Sequence, residues 1–531
     1  MAGFGQAPEP PDTETAFRMD AMAPTMPRQR RIPSPPSSTK ILHNATEALF
    51  FAYSILCRDP RDPLLDVPPA LVLGFDIAAR QPPLSKGEWG MLWRMLRRMV
   101  HLEALTLEDG DGLVMEIQQE VLEGPPLSLP RLKYLKYCMS YSVDGCHAFL
   151  SSLRDASLDK VVLHYPDGDD RDEDEQTPDP VALLARASTA ATLGTLQFEN
   201  LRYSYFNLPV PVAQFPFVGR LSLGFDLGKE DPQLPILGYL LAAFPAVKVF
   251  EIETSRPLPI AAQQPTVQDI RTANIGARAH ATAGWSLERV TGSVLDLWLL
   301  GFEYSSATVH ISRVNAETVE SVGNLMYDLF SGTTPSTLYV TFSERGSCKR
   351  KAMILFFRTL LAYWQSSPFG TIPKEFVVKL RMNDEPEPEE PKLEDILTRV
   401  FSLLRDGNRL EHIHLSIYLK CKDTHYPPPP RPPSTLTTHG MDVDDADDSG
   451  ESSDESDTEG DGLERCQEAR ALFDAMPKFL DQNADALRAA SSNGTKYLVR
   501  ATSFCSPKHG FVVSSGGARE ERVRNWLPMS E

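Results

Sequence analysis

Apolar side chains recur along this chain at positions one, four and six of a six-residue phrase. Leu102, Leu105 and Leu107 form the first instance, Leu132, Leu135 and Tyr137 the second, Leu158, Val161 and Leu163 the third. Positions four and six lie two residues apart and fall on one face of a strand, and position one turns inward where the chain enters. The phrase returns at Leu193/Leu196/Phe198, Val218/Leu221/Leu223, Val247/Phe250/Ile252 and Leu410/Ile413/Leu415. Its alternating half appears at 309–311, 338–342 and 376–380. Leu287 and Val290 begin another instance, which Gly292 is expected to break.

Between the phrases, helical periodicity takes over. Residues 41–59 read as a helix ended by Pro60, and 70–77 as a strand. Residues 85–100 carry Trp89, Leu92, Trp93, Leu96 and Met99 along one stripe, with Ser85 as N-cap. Further helices are predicted over 143–154, 180–187, 235–243, 316–330, 351–363 and 393–404. Fourth-position residues from Leu105 to Phe250 follow one another at 25 to 35 residues. That spacing is longer and less even than a short receptor-type repeat, and no Asn ladder follows the strands; Asn200 is isolated. The expected fold is therefore α/β, a leucine-rich-repeat-like horseshoe: an irregular solenoid of strand-helix units. An ordinary doubly wound α/β sheet is the alternative.

Composition sets the boundaries. Residues 1–40 are rich in Pro, Ser and Ala without periodic apolar positions and read as a disordered tail. The solenoid spans 41–423. Residues 424–462 form a Pro-rich and acidic insertion, 463–505 a terminal helix-strand unit with a helix over 463–487 and a strand at 497–499, and 506–531 a polar tail. Two smaller polar inserts fall at 167–179 and 383–395.

The formal net charge is −19, and twelve Asp or Glu without a Lys or Arg lie between 440 and 464. This balance argues against nucleic acid as a ligand, which needs clustered cations. Seven cysteines in no framework, no apolar signal core before residue 40 and no membrane-length apolar run point to the cytoplasm or nucleus, with no membrane partner.

Motifs for chemistry are few. The chain has no phosphate-cradling or dinucleotide-binding glycine loop, no nucleophile elbow and no C-x-x-C pair, so no cofactor, metal or catalytic residue is assigned. His412 and His414 alternate on one strand, and Cys138, Cys146 and His147 lie near one another in sequence; each set reads as part of a packed or polar strand face. Ser452, Ser456 and Thr458 each have an acid three residues on, the pattern an acidophilic kinase reads.

The phrases at Leu102/Leu105/Leu107, Leu132/Leu135, Leu158/Val161/Leu163 and Leu410/Ile413/Leu415, with their intervening helices and acidic Pro-rich insertions, resemble fungal F-box/leucine-rich-repeat-like proteins over roughly 60–505. The resemblance implies repeats that capture a substrate and an N-terminal F-box that docks on a ubiquitin-ligase adaptor. Ile32-Pro33-Ser34-Pro35 stands where that module would open but lacks its acid, and 41–56 supplies one helix instead of three.

The expected activity is non-enzymatic binding of a protein partner on the strand surface. The contact candidates are Lys136, Lys160, His164, Gln197, Glu251, His412 and His414, joined by Thr106, Tyr134, Ser222, Tyr339 and Thr341. A substrate receptor of a cullin-RING ligase, and an α/β enzyme with an unrecognised site, are the other readings.

Overall fold

In the computed structural model, the fourth position of every phrase falls on one line across a single sheet. The structure describes residues 39–420 with breaks, the larger at 75–83, 167–178, 186–191, 227–234, 302–307, 314–324, 344–349, 367–372, 384–394 and 401–409, and the backbone of 496–503, 509–514 and 517–522. Its strands are β1 (Thr39–Leu42), β2 (Ala70–Leu73), β3 (Ala104–Leu107), β4 (Tyr134–Cys138), β5 (Lys160–His164), β6 (Thr195–Leu201), β7 (Arg220–Phe225), β8 (Val249–Thr254), β9 (Arg289–Ser293), β10 (Thr308–Arg313), β11 (Thr337–Ser343), β12 (Glu375–Asn383), β13 (His412–Lys420), β14 (Lys496–Ser503), β15 (His509–Ser514) and β16 (Gly517–Arg522).

The sheet order follows the sequence from β1 to β16. Every neighbouring pair from β1 to β14 is parallel; β15 and β16 are antiparallel. No strand order reverses, so the sheet has no switch point of the doubly wound kind. Neither does β1 pair with β16, so the sheet is not closed into a barrel.

The register explains why the phrase is repeated. Leu71, Leu105, Leu135, Val161, Leu196, Leu221, Phe250, Val290, Val309, Leu338, Phe376 and Ile413 are successive partners across the sheet. Each is at most 2% exposed. A buried aliphatic side chain contributes about 1.5–3 kcal/mol. A slip of one residue would turn such a row to solvent, so the row holds the register. First-position residues Leu102, Leu132, Leu158, Leu193, Val218 and Val247 are buried as well. Just before several strands, two consecutive N–H groups donate to one carbonyl of the previous unit; Lys133 and Tyr134 share Glu103, and Asp159 and Lys160 share Lys133.

Helices alternate with the strands: α1 (Ala45–Leu56), α2 (Lys86–Arg98), α3 (Gly110–Met115), α4 (Val143–Ser152), α5 (Pro180–Ala185), α6 (Leu237–Ala243), α7 (Ile260–His280), α8 (Val294–Leu300) and α9 (Arg350–Ser366). Ser85 caps α2 as the pattern predicts, in a reciprocal pair with Glu88. Helical residues at 325–326 and 328–330, and at 395–396 and 398–400, lie inside the helices expected over 316–330 and 393–404.

Several expectations change. Residues 39–42, assigned to the tail and the first helix, form β1; α1 starts only after Asn44, whose side chain accepts from Glu47 N–H at 2.9 Å. Gly292 does not break its unit. It lies within β9, opposite Ile311, and a Cβ there would come within 2.9 Å of Ile252 and 3.1 Å of Leu297. The missing side chain lets α8 begin hard against the sheet. The 21-residue α7 was not anticipated, nor were α3 and α8. The strand expected at 497–499 is part of β14, and the segment expected as a polar tail contains β15 and β16. The helix expected over 463–487 and the acidic insertion fall outside the described residues.

Candidate functional site: the open face of the sheet

Alternate strand positions point away from the helices. Thr106, Lys136, Val162, Gln197, Ser222, Glu251, Thr291, His310, Tyr339, Val377 and His414 form the matching row on this open face. Val162 and Val377 are buried; the others are half-buried.

On β4 to β8 the row and its neighbours make one charged network. The Glu199 carboxylate is its centre. It takes a hydrogen bond from Gln197 Nε2 at 2.7 Å, meets His164 Nδ1 at 3.1 Å and lies 3.8 Å from Lys136 Nζ. Lys136 stands on β4 and Glu199 on β6, so this pair reaches over β5 and the buried Val162. The His164 contact, then the Lys136 charge, holds Glu199 below the usual carboxylate range against the opposing effect of burial. Asn200 Nδ2 lies 3.1 Å from His164 Nε2. With a neutral ring, donation from Nδ1 to Glu199 and acceptance at Nε2 from Asn200 satisfy both nitrogens. Asn200 is placed for this by a left-handed φ of 58° where the β6 register shifts between Phe198 and Leu201. Asn tolerates that conformation better than most residues.

Beside this network Arg220 donates to Glu251 at 2.8 Å. Lys160 sits 5.4 Å from the centre of the Tyr134 ring. Burial, then the nearby Arg220, lowers its pKa. The Cys138 thiol, on the same face next to His164, is pushed up to about 11 by burial.

A second, less charged group occupies β9 to β11. His310 Nε2 lies 2.8 Å from Thr341 Oγ1, and its ring makes an edge contact with Tyr339. Burial, helped by Arg289 and Lys379, pushes His310 down to about 4.

Five of the sequence candidates, Lys136, Lys160, His164, Gln197 and Glu251, thus share one patch, with Thr106 and Ser222 in the same row and Tyr134 under Lys160. Tyr339 and Thr341 belong to the second group. His412 and His414 share the face but lie on β13, five strands beyond Glu251, or about 24 Å along the sheet. Ser452, Ser456 and Thr458 fall outside the described residues. Cys146 is buried on α4 in the core, so it does not converge with Cys138 at the open face. Among the described residues no group of three or more His, Cys, Asp or Glu is placed to hold a metal ion. Nor is any helix among them long and apolar enough to cross a membrane.

Sequence reasoning missed Glu199, Arg220, Asn200 and His310. Glu199 stands two residues past Gln197, in phase with it, so strand parity was the available signal; that it joins three neighbours depends on strands brought together by register. Neither a family model nor a curated protein matches this chain.

Proposed function

We propose that this protein is a non-enzymatic recognition scaffold, a leucine-rich-repeat-like horseshoe that binds a protein partner on its open sheet face. The observation that carries this reading is the half-buried network of Lys136, Glu199, His164, Gln197 and Asn200 beside the Arg220–Glu251 pair. Mutual hydrogen bonds orient these side chains before any partner arrives, which lowers the ordering cost of binding. Glu199 and Glu251 are engaged within the face, whereas Lys160 rests on an aromatic ring, so the partner brings a carboxylate to Lys160. Interspersed acids fit a protein surface better than a phosphate backbone, which Glu199 and Glu251 would repel.

The ubiquitin-ligase reading rests on the resemblance alone. Among the described residues, α1 and α2 pack together in the helical layer of the sheet, and no observation there favours an adaptor-docking module.

The test is the triple variant Lys136→Ala/Lys160→Ala/His164→Ala of the full chain. Because Lys136 and His164 hold the half-buried Glu199, thermal unfolding is measured alongside to establish that the variant folds. Quantitative co-purification should show specific partners lost relative to wild type. A folded triple variant that keeps every partner refutes the assignment.

A further inference from the structure

The register sorts the charges of the open face into rows. Two residues before the central row, the successive partners across the sheet are Tyr134, Lys160, Thr195, Arg220, Val249, Arg289, Thr308 and Thr337. This entry row carries three cations on alternate strands, β5, β7 and β9, and meets no acid until Glu375 on β12. Acids on the same stretch of sheet lie further along their strands, Glu251 in the central row, Glu199 and Glu253 in the next. Positive charge is therefore concentrated on one line that crosses the strands at their entry side.

The three cations are not equally engaged. Arg220 donates to Glu251 at 2.8 Å. Lys160 and Arg289 form no ion pair with any described residue. Lys160 lies over the Tyr134 ring, where burial and then Arg220 work against its charge, and Arg289 is exposed. Besides Arg220, the row between them holds Thr195 and Val249, short half-buried side chains over which a backbone can pass closely. Lys160 and Arg289 stand four strands apart, about 19 Å along the sheet.

A ligand complementary to this row needs carboxylates that far apart on one side. Six residues of polyproline II chain rise about 19 Å and six of a strand about 20 Å, and in both, residues i and i+6 face the same way. An α-helix is about 10–12 Å wide, while rows lie only about 7 Å apart along the strands, so a helix would spread onto Glu251 in the central row. An extended chain keeps to one row and stays clear of Glu199. On the reading of the open face as the binding surface, we propose that the entry row seats an extended acidic peptide segment of the partner, running across the strands with carboxylates six residues apart on Lys160 and Arg289.

Fluorescence anisotropy on the full-length chain tests this with a labelled peptide of five Glu-Pro-Pro repeats, whose acids recur every third residue, and a matching Gln-Pro-Pro peptide. The acidic peptide is expected to bind, less tightly as salt is raised, and the neutral one about tenfold more weakly. Lys160→Glu/Arg289→Glu should weaken the acidic peptide about tenfold or more; should that pair misfold, Arg289→Glu alone, at an exposed position, should weaken it about threefold. No binding of the acidic peptide to wild type, equal binding of the neutral peptide, or wild-type affinity in a folded variant overturns the proposal. So does a labelled oligothymidylate that binds as tightly and depends on the same two cations, because the row then takes any polyanion. If the acidic peptide fails while the Lys136/Lys160/His164 variant still loses its partners, this inference falls and the recognition face stands; a triple variant that keeps every partner removes both.

Discussion

Replacing Asn274 by Ala should loosen two helices at once. Asn274 lies on α7 and is 2% exposed. Its Oδ1 accepts from the Leu237 N–H at 3.1 Å, and its Nδ2 donates to the Leu299 carbonyl at 3.0 Å. Leu237 is the first residue of α6, whose N-cap Ile236 has no side chain able to cap it. Leu299 lies in the last turn of α8, where carbonyls lack helical partners. One side chain therefore finishes the start of α6 and the end of α8. Arg271 and Arg278 assist by donating to the carbonyls of Trp298 and Gly301.

Truncation leaves a buried donor and a buried acceptor, each costing about 1–3 kcal/mol. The better helix propensity of Ala returns roughly 0.6 kcal/mol. A cavity of about 10 Å³ lined by Asn274, Asp296, Tyr203 and apolar neighbours would grow enough to admit a water, which favours the lower part of the range. The net loss should be roughly 1.5–3.5 kcal/mol. Urea unfolding measures it, and native-state hydrogen exchange should show the Leu237 amide losing protection. Asn274→Asp keeps the acceptor for Leu237 but sets a carboxylate oxygen against the Leu299 carbonyl, so it should retain protection at Leu237 while destabilising α8. A loss below about 1 kcal/mol in the Ala variant, with exchange at Leu237 unchanged, would refute the capping argument.

His310 should make stability pH-dependent. Its folded pKa of about 4 lies below the unfolded value of 6.5, so in that interval the unfolded chain binds more protons. Stability should be full above pH 6.5 and fall as pH drops toward 4, by up to about 3 kcal/mol; across this range the wild type should lose that stability relative to His310→Gln, and parallel denaturation curves would count against it. Gly110→Ala would place a Cβ 2.3 Å from the Tyr137 ring, which is fully buried and has nowhere to move. The expected cost is about 3 kcal/mol by thermal or urea unfolding, whereas Gly87→Ala, with nothing within 4 Å, should be neutral or slightly stabilising.

The units were legible because each must bury its own Leu row. The phrase at Leu105, Leu135 and Val161 needs no knowledge of its neighbours to be recognised, and the capping pair Ser85–Glu88 is equally local. Local signals failed where a distant contact decides the outcome. Gly292 reads as a breaker until Ile252 and Leu297 are seen occupying the space its side chain would need. Helix α7 carries weak apolar periodicity because part of its hold on the body is polar, through Asn274, Arg271 and Arg278. Residues 39 and 40 read as tail, and 41 and 42 as the start of a helix because Leu42 matches its spacing; pairing with Ala70 to Leu73 makes 39–42 a strand.

The same division runs through the open face. Period-two alternation in the sequence was enough to determine that Lys136, Lys160, His164, Gln197 and Glu251 leave the core, since a strand has only two faces. Which of them meet was settled by tertiary structure alone. Glu199 reaches Lys136 and His164 because the register aligns three strands and a left-handed Asn200 turns the chain beside them, and His412 and His414 stay apart because four strands lie between them and Glu251. Alternation is a property of one strand and is written in a few consecutive residues, whereas a network belongs to strands 26 to 35 residues apart in sequence whose separation is fixed by everything packed beneath them.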